Sequence, residues 1–142
     1  HSHHFLGMSQ SGLPAILQSE GNPNAHLILR GSNSVTNYQL NEIEKIRDKN
    51  QGHLPPLVID CSHGNSAKNP LNQPEVLKQI IAEKAESNVC GVMLESFLVD
   101  GISHDMIYGQ SVTDGCLGWE KTEQLYLEVA EQLRTTALKQ SA

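Results

Sequence analysis

Leu57-Val58-Ile59-Asp60-Cys61-Ser62-His63-Gly64-Asn65 is the stretch that decides the fold. Three aliphatic residues run without interruption into an acid, and small polar residues follow. An unbroken apolar run with Pro55-Pro56 before it and Gly64 after it reads as a strand buried on both faces, the habit of parallel sheets. The same pattern lies on either side. Upstream, His26-Leu27-Ile28-Leu29 stops at Arg30-Gly31; downstream, Val89-Cys90-Gly91-Val92-Met93-Leu94 stops at Glu95-Ser96. Arg30, His63 and Glu95 are therefore spaced by 33 and 32 residues.

Helical patterns fill the intervals. Leu40, Ile43 and Ile46 share one face of a first helix, with Asn37 placed to cap it. Gln73-Pro74 opens a second helix, since proline is tolerated in a first turn, and Val76, Leu77, Ile80 and Ile81 follow at helical spacing. A polar loop with Gly101 and Gly109 then leads to a last helix over about 120–139, where Leu125, Val129 and Leu133 lie one turn apart. Strand, loop and helix thus alternate three times. Parallel strands joined by helices point one way, so Arg30, His63 and Glu95 are expected on one rim, at the strands' C-terminal ends, where such folds carry their sites. Residues 1–22 read differently: Phe5–Met8 and Leu13–Leu17 flank Gln10-Ser11-Gly12 as a hairpin, closed by the turn residues Gly21-Asn22-Pro23-Asn24. The fold class is α/β.

Composition narrows the function. The 142 residues amount to one ordinary domain, and with 38% hydrophobic and 4% aromatic residues its packing is mostly aliphatic. A net charge of −6 without a Lys/Arg cluster excludes a nucleic-acid binder, which needs a basic stripe against phosphates. No apolar run approaches the roughly 18–20 residues that span a bilayer. His1-Ser2-His3-His4 lacks the regions of a signal peptide, so a cytoplasmic protein is expected. Three cysteines without short paired spacing fit neither a disulfide framework nor a zinc knuckle, and Cys90, inside an apolar run, reads as a small core residue.

His63, Glu95 and Asp114 form the chemical set. An imidazole with two carboxylates suits a divalent cation such as Mn²⁺, Fe²⁺, Co²⁺ or Zn²⁺. Each residue also has a plainer reading: His63 as a hydrogen-bonded structural residue, Glu95 in a salt bridge across the strand ends, Asp114 as the cap of the last helix. Arg30 could grip a phosphate or carboxylate two-pronged, or be a surface ion pair. Ser62-His63-Gly64 lacks the Gly-x-Ser-x-Gly order of a hydrolase elbow.

Four segments carry a resemblance. Gly21-Asn22-Pro23 through His26-Leu27-Ile28-Leu29-Arg30-Gly31, Ile59 through Ser66, Gly91 through Leu98, and Tyr108 through Asp114 followed by Gly118-Trp119-Glu120 resemble, in this order, segments of the class I 3-deoxy-D-arabino-heptulosonate 7-phosphate synthases. The resemblance implies a (β/α)₈ barrel of the TIM type. Residues 23–142 would supply its last βα units, and residues 1–22 a regulatory hairpin, so that 1–142 is the C-terminal portion of one barrel domain. It implies a metal-dependent transferase joining phosphoenolpyruvate to erythrose 4-phosphate, the first step of the shikimate route to aromatic amino acids. The family's metal is held by Cys, His, Glu and Asp; His63, Glu95 and Asp114 match the last three. Asp114 would also sit against substrate, and His63 would take part in catalysis. Arg30 matches an arginine on the phosphoenolpyruvate phosphate. Phe5 and Gly7 match positions lining the pocket of an aromatic amino acid inhibitor, with Gly7 of the tyrosine-regulated kind, and the full-length protein would be a homo-oligomer. The family's cysteine ligand lies in an N-terminal half with no counterpart here, and Cys61, beside His63, stands at the wrong strand end to replace it. The chain is therefore expected to be inactive alone. The alternative is a truncated, non-catalytic homologue that binds metal or an aromatic effector.

Overall fold

The computed structural model describes residues 2–140. The chain runs β1 (His3–Met8), β2 (Pro14–Ser19), β3 (Leu27–Leu29), α1 (Leu40–Lys49), β4 (Leu57–Asp60), two 3₁₀ turns (His63–Ser66 and Pro70–Asn72), α2 (Gln73–Ala82), α3 (Lys84–Ser87), β5 (Val89–Met93), β6 (Val99–Ile102), β7 (Gln110–Ser111) and α4 (Trp119–Gln140). No helix among the described residues is long and apolar enough to cross a membrane.

The three apolar runs form one parallel sheet in the order β3-β4-β5. Leu29 pairs with Ile59 and Ile59 with Val92, while Leu57 pairs with Val89. These residues line one face, and the helices cover it. Ile43 of α1, Val76, Leu77 and Ile80 of α2, and Leu125 and Val129 of α4 join Leu29, Leu57 and Ile59 in one buried cluster. Leu57 and Ile59 are fully buried, worth about 1.5–3 kcal/mol each in area removed from water.

The other face departs from expectation. Ile28 and Met93 are 48% and 45% exposed, so the strands are apolar on two sides but covered on one. Cys90 stands at an irregularity where the register passes from Leu57–Val89 to Val58–Gly91. It is exposed rather than in the core, with its Sγ 3.3 Å from the Leu57 carbonyl. An apolar run says that a strand can be buried twice; it does not say that this chain supplies both covers.

Three further expectations are corrected. Asn37 does not cap α1, whose N-cap is Gln39 without a side-chain bond. The Asn37 Oδ1 accepts instead from Gly31 N at 2.8 Å, drawing the β3 exit loop inward. The third strand leaves the ladder at Met93, short of Glu95. The loop after it contains the short parallel pair β6–β7, in which Val99 pairs with Gln110 and Ile102 with Ser111. The hairpin is as read, with Phe5 opposite Leu17 and Gly7 opposite Ala15, and its outer residues Leu6 and Ile16 are 84% and 72% exposed.

Where β3 and β4 end, the loops pass so closely that side chains do not fit between them. A Cβ on Gly64 would stand 2.4 Å from Ser32 N and O, and one on Gly31, at φ +70°, 2.8 Å from Asn65 N. Asn65 fastens this crossing. Its Nδ2 donates to the carbonyls of Leu29 (3.1 Å) and Asp60 (2.9 Å), and its Oδ1 accepts from Asn37 N (2.9 Å). Asn65→Ala would strand these buried backbone groups, and each such loss costs about 1–3 kcal/mol. The expected result in chemical denaturation is a loss of about 2–4 kcal/mol, well above the roughly 0.5–1.5 kcal/mol of Ile59→Val in the same core.

Candidate metal centre

The rim is organised by the acid that ends β4. Asp60 is 2% exposed, and nothing apolar around it can solvate a carboxylate, so its oxygens must be met by donors. Ser62 supplies two of them to Oδ1, its N–H at 2.9 Å and its hydroxyl at 2.5 Å. Oδ2 lies 2.7 Å from His63 Nδ1 and 3.9 Å from Arg30 Nε. Asp60 is thus the shared neighbour of His63 and Arg30.

Its grip on Nδ1 decides how His63 faces the site. A carboxylate only accepts, so in the neutral ring the proton sits on Nδ1 and the Nε2 lone pair points away. Nε2 lies 3.5 Å from Glu95 Oε1. His63 holds this pose at φ +44°, with Ala67 and Lys68 also left-handed at φ +55° and +59°. Three such non-glycine residues in six positions mark a locally strained loop, a feature that gathers at functional sites.

Glu95 lies just past β5, and its Oε2 is 3.7 Å from Cys116 Sγ. Asp114 comes from the loop after β7 and is exposed. One ligand atom from each of His63, Glu95 and Asp114 falls within 4.8 Å of the others. The three residues line one small pocket together with Ser66, Lys68 and Gln73. Asp114 does not cap α4, which starts five residues later at Trp119. The N–H of Gly118, before that helix, is taken by the Asp100 carboxylate. The Lys121 side chain, and after it this N–H, hold Asp100 below the ordinary carboxylate range.

The other sequence candidates stand apart. Arg30 reaches the rim through Asp60, but its side chain is 62% exposed. Phe5 and Gly7 share one face of the hairpin, where a Cβ on Gly7 would meet Leu17 Cδ1 at 2.6 Å. Cys61 is turned into the core, and burial, with the Asp60 charge second, pushes its thiol up to about 12. At neutral pH it remains a protonated core residue rather than a thiolate ligand.

Asp60 was legible as a site residue by the reasoning already applied to Glu95, since an acid closing an apolar strand needs partners. Gln73 gave no such signal, because a glutamine before Pro74 looks like any residue at a helix start.

A sequence profile of the DAHP synthetase I family matches residues 1–127. A putative phospho-2-dehydro-3-deoxyheptonate aldolase of Schizosaccharomyces pombe is 41% identical over 94% of the chain, which covers 39% of that protein. The tyrosine-inhibited phospho-2-dehydro-3-deoxyheptonate aldolase of the same yeast is 37% identical over the whole chain, covering 42% of its own length. The solved structure of the phospho-2-dehydro-3-deoxyheptonate aldolase from Francisella tularensis SCHU S4 superposes with a TM-score of 0.78 at 38% identity, covering 94% of this chain and 41% of that one. The chain spans about two fifths of the length of these relatives. With the profile matching nearly its full length, the chain belongs to the DAHP synthetase I family.

Proposed function

We propose that this chain is the C-terminal portion of a synthase that condenses phosphoenolpyruvate with erythrose 4-phosphate, giving 3-deoxy-D-arabino-heptulosonate 7-phosphate and phosphate. The observation that carries the reading is the convergence of His63, Glu95 and Asp114 beyond the ends of parallel strands, in a chain of this family. Residues 23–142 serve as the last βα units of a (β/α)₈ barrel. The uncovered sheet face supports this, since Ile28, Val58 and Met93 would face the barrel interior once further strands close the sheet.

The donor set fits a divalent cation of the Mn²⁺, Fe²⁺, Co²⁺ or Zn²⁺ class, because a nitrogen with a free lone pair stands beside two carboxylates. His63, Glu95 and Asp114 would hold it, and when bound it supplies Lewis-acid polarisation of the erythrose 4-phosphate aldehyde. Asp60 fixes the His63 ring so that Nε2, not Nδ1, is offered to the site. Arg30 pairs with the phosphoenolpyruvate phosphate, for which its exposed fork is free to turn. In the reaction C3 of phosphoenolpyruvate bonds to the aldehyde carbon, water adds at C2, and phosphate departs.

Residues 1–22 serve as a regulatory hairpin. Phe5 and Gly7, on one face of the hairpin with Leu17 packed against the Gly7 backbone, would line the pocket of an aromatic amino acid effector such as tyrosine. The apolar outer face with Leu6 and Ile16 suits a neighbouring subunit in a homo-oligomer.

Two outcomes test the reading. The chain alone, given both substrates and Mn²⁺, is expected to show no consumption of phosphoenolpyruvate, whereas a chain extended upstream by the rest of the barrel turns over and is silenced by chelator. Chelator-sensitive turnover by the 142 residues alone would overturn the claim that the site is incomplete. Silence of the extended protein would favour the non-catalytic homologue. In the extended protein, His63→Ala and Glu95→Ala abolish Mn²⁺-dependent turnover with the circular dichroism spectrum intact, and Asp60→Asn weakens Mn²⁺ binding by about 10–100-fold, read by calorimetry.

A further inference from the structure

We infer that Gln73 is a positioning residue that fixes Glu95 at the candidate metal centre; the inference rests on the metal-site reading above. Gln73, the first residue of α2, is 0% exposed although its side chain is a primary amide. Both ends of that amide are used on one residue. Oε1 accepts from Glu95 N at 2.8 Å, and Nε2 donates to Glu95 O at 3.1 Å.

The sheet explains why such a clamp is needed. The β4–β5 ladder ends with Asp60 opposite Met93, where Cys61 N still donates to the Met93 carbonyl at 2.9 Å. One step further, β4 leaves the sheet at Ser62 and enters the turn that carries His63 to the rim. That departure withdraws the β4 backbone from Glu95, whose N–H and C=O must find other partners at a half-buried site. A glutamine amide carries the same donor and acceptor as a peptide group, and Gln73 presents both where the next stretch of β4 would have run. On the opposite side, Leu117 N donates to the same Glu95 carbonyl at 3.0 Å. The backbone of Glu95 is thereby held from two sides, and its carboxylate stands within 3.5 Å of His63 Nε2. The excursion that delivers one donor residue thus creates the gap that Gln73 fills for the other.

The test separates positioning from bulk stability. Gln73→Met keeps the length of the side chain and removes both hydrogen bonds. Leu77→Ala, at a core position 1% exposed on the same helix, destabilises without touching Glu95. Mn²⁺ affinity and the melting temperature are measured for both in the protein extended upstream by the rest of the barrel, beside the unaltered extended protein and its His63→Ala variant. Both variants are expected to melt lower, but only Gln73→Met weakens Mn²⁺ binding, by about 10-fold or more, the usual scale for losing an outer-shell partner. Hydrogen exchange adds a readout independent of metal: the Glu95 amide loses protection in Gln73→Met and keeps it in Leu77→Ala. Unchanged Mn²⁺ affinity in Gln73→Met, with binding lost in His63→Ala, would overturn this inference and leave the metal reading standing. Mn²⁺ binding that is absent from the unaltered extended protein, or indifferent to His63→Ala, overturns the metal reading and this inference with it.

Discussion

Everything on the rim follows from the way β4 ends. A carboxylate at the last position of a buried strand cannot be left without donors, and Asp60 obtains them by bending the chain back on itself. The Ser62 N–H and hydroxyl meet one oxygen and the His63 ring meets the other, so the residues just beyond the strand are drawn over its end instead of continuing it. The turn that results holds His63 in a left-handed conformation, uncommon for a residue other than glycine. One buried charge therefore sets the path of the loop, the orientation of the imidazole and the point at which the sheet opens.

Opening the sheet has consequences that buried side-chain amides absorb. Asn65 takes the carbonyls of Leu29 and Asp60, which face the crossing of two loops. Gln73 takes both backbone groups of Glu95, which β4 has abandoned. Each amide replaces backbone pairing where regular structure has stopped, and each is buried because the groups it satisfies are buried. The helix-covered cluster of Leu29, Ile43, Leu57, Ile59 and Leu77 holds the ladder together, whereas Asp60, Asn65 and Gln73 hold its end in shape. Core and rim are thus stabilised by different chemistry, the first by area and the second by satisfied polarity.

This division also accounts for what could be read in the sequence. Apolar runs and helical spacing report burial against a core, so the three parallel strands, α1, α2 and α4 were legible, and so was the rim of polar residues at 30, 63 and 95. Chemistry-bearing residue types gave His63, Glu95 and Asp114, which the fold brings within 4.8 Å of one another. Partners of lost backbone groups leave no such trace. Asn37 looked like a helix cap because Asn is a good one, yet Gly31 N claims its oxygen. Gln73 looked like an unremarkable first-turn residue. Cys90 looked buried because periodicity cannot tell which sheet face the chain itself covers. The strands β6 and β7 escaped because pairs so short carry almost no pattern.

The three candidate donors are not held alike, and the difference is physical. His63 is fixed through its ring by Asp60, and Glu95 through its backbone by Gln73 and Leu117. Asp114 sits exposed on a loop, where neither a strand end nor a buried amide restrains its side chain. Two residues held at the sheet and one carried on a loop give a candidate site whose geometry is decided on the sheet and completed from the loop. The sheet-held pair would define where a cation can sit, and Asp114 would meet it from the side of the β7–α4 loop. An arrangement of this kind lowers the ordering cost of binding without sealing the site, because most of the ordering has been done by folding.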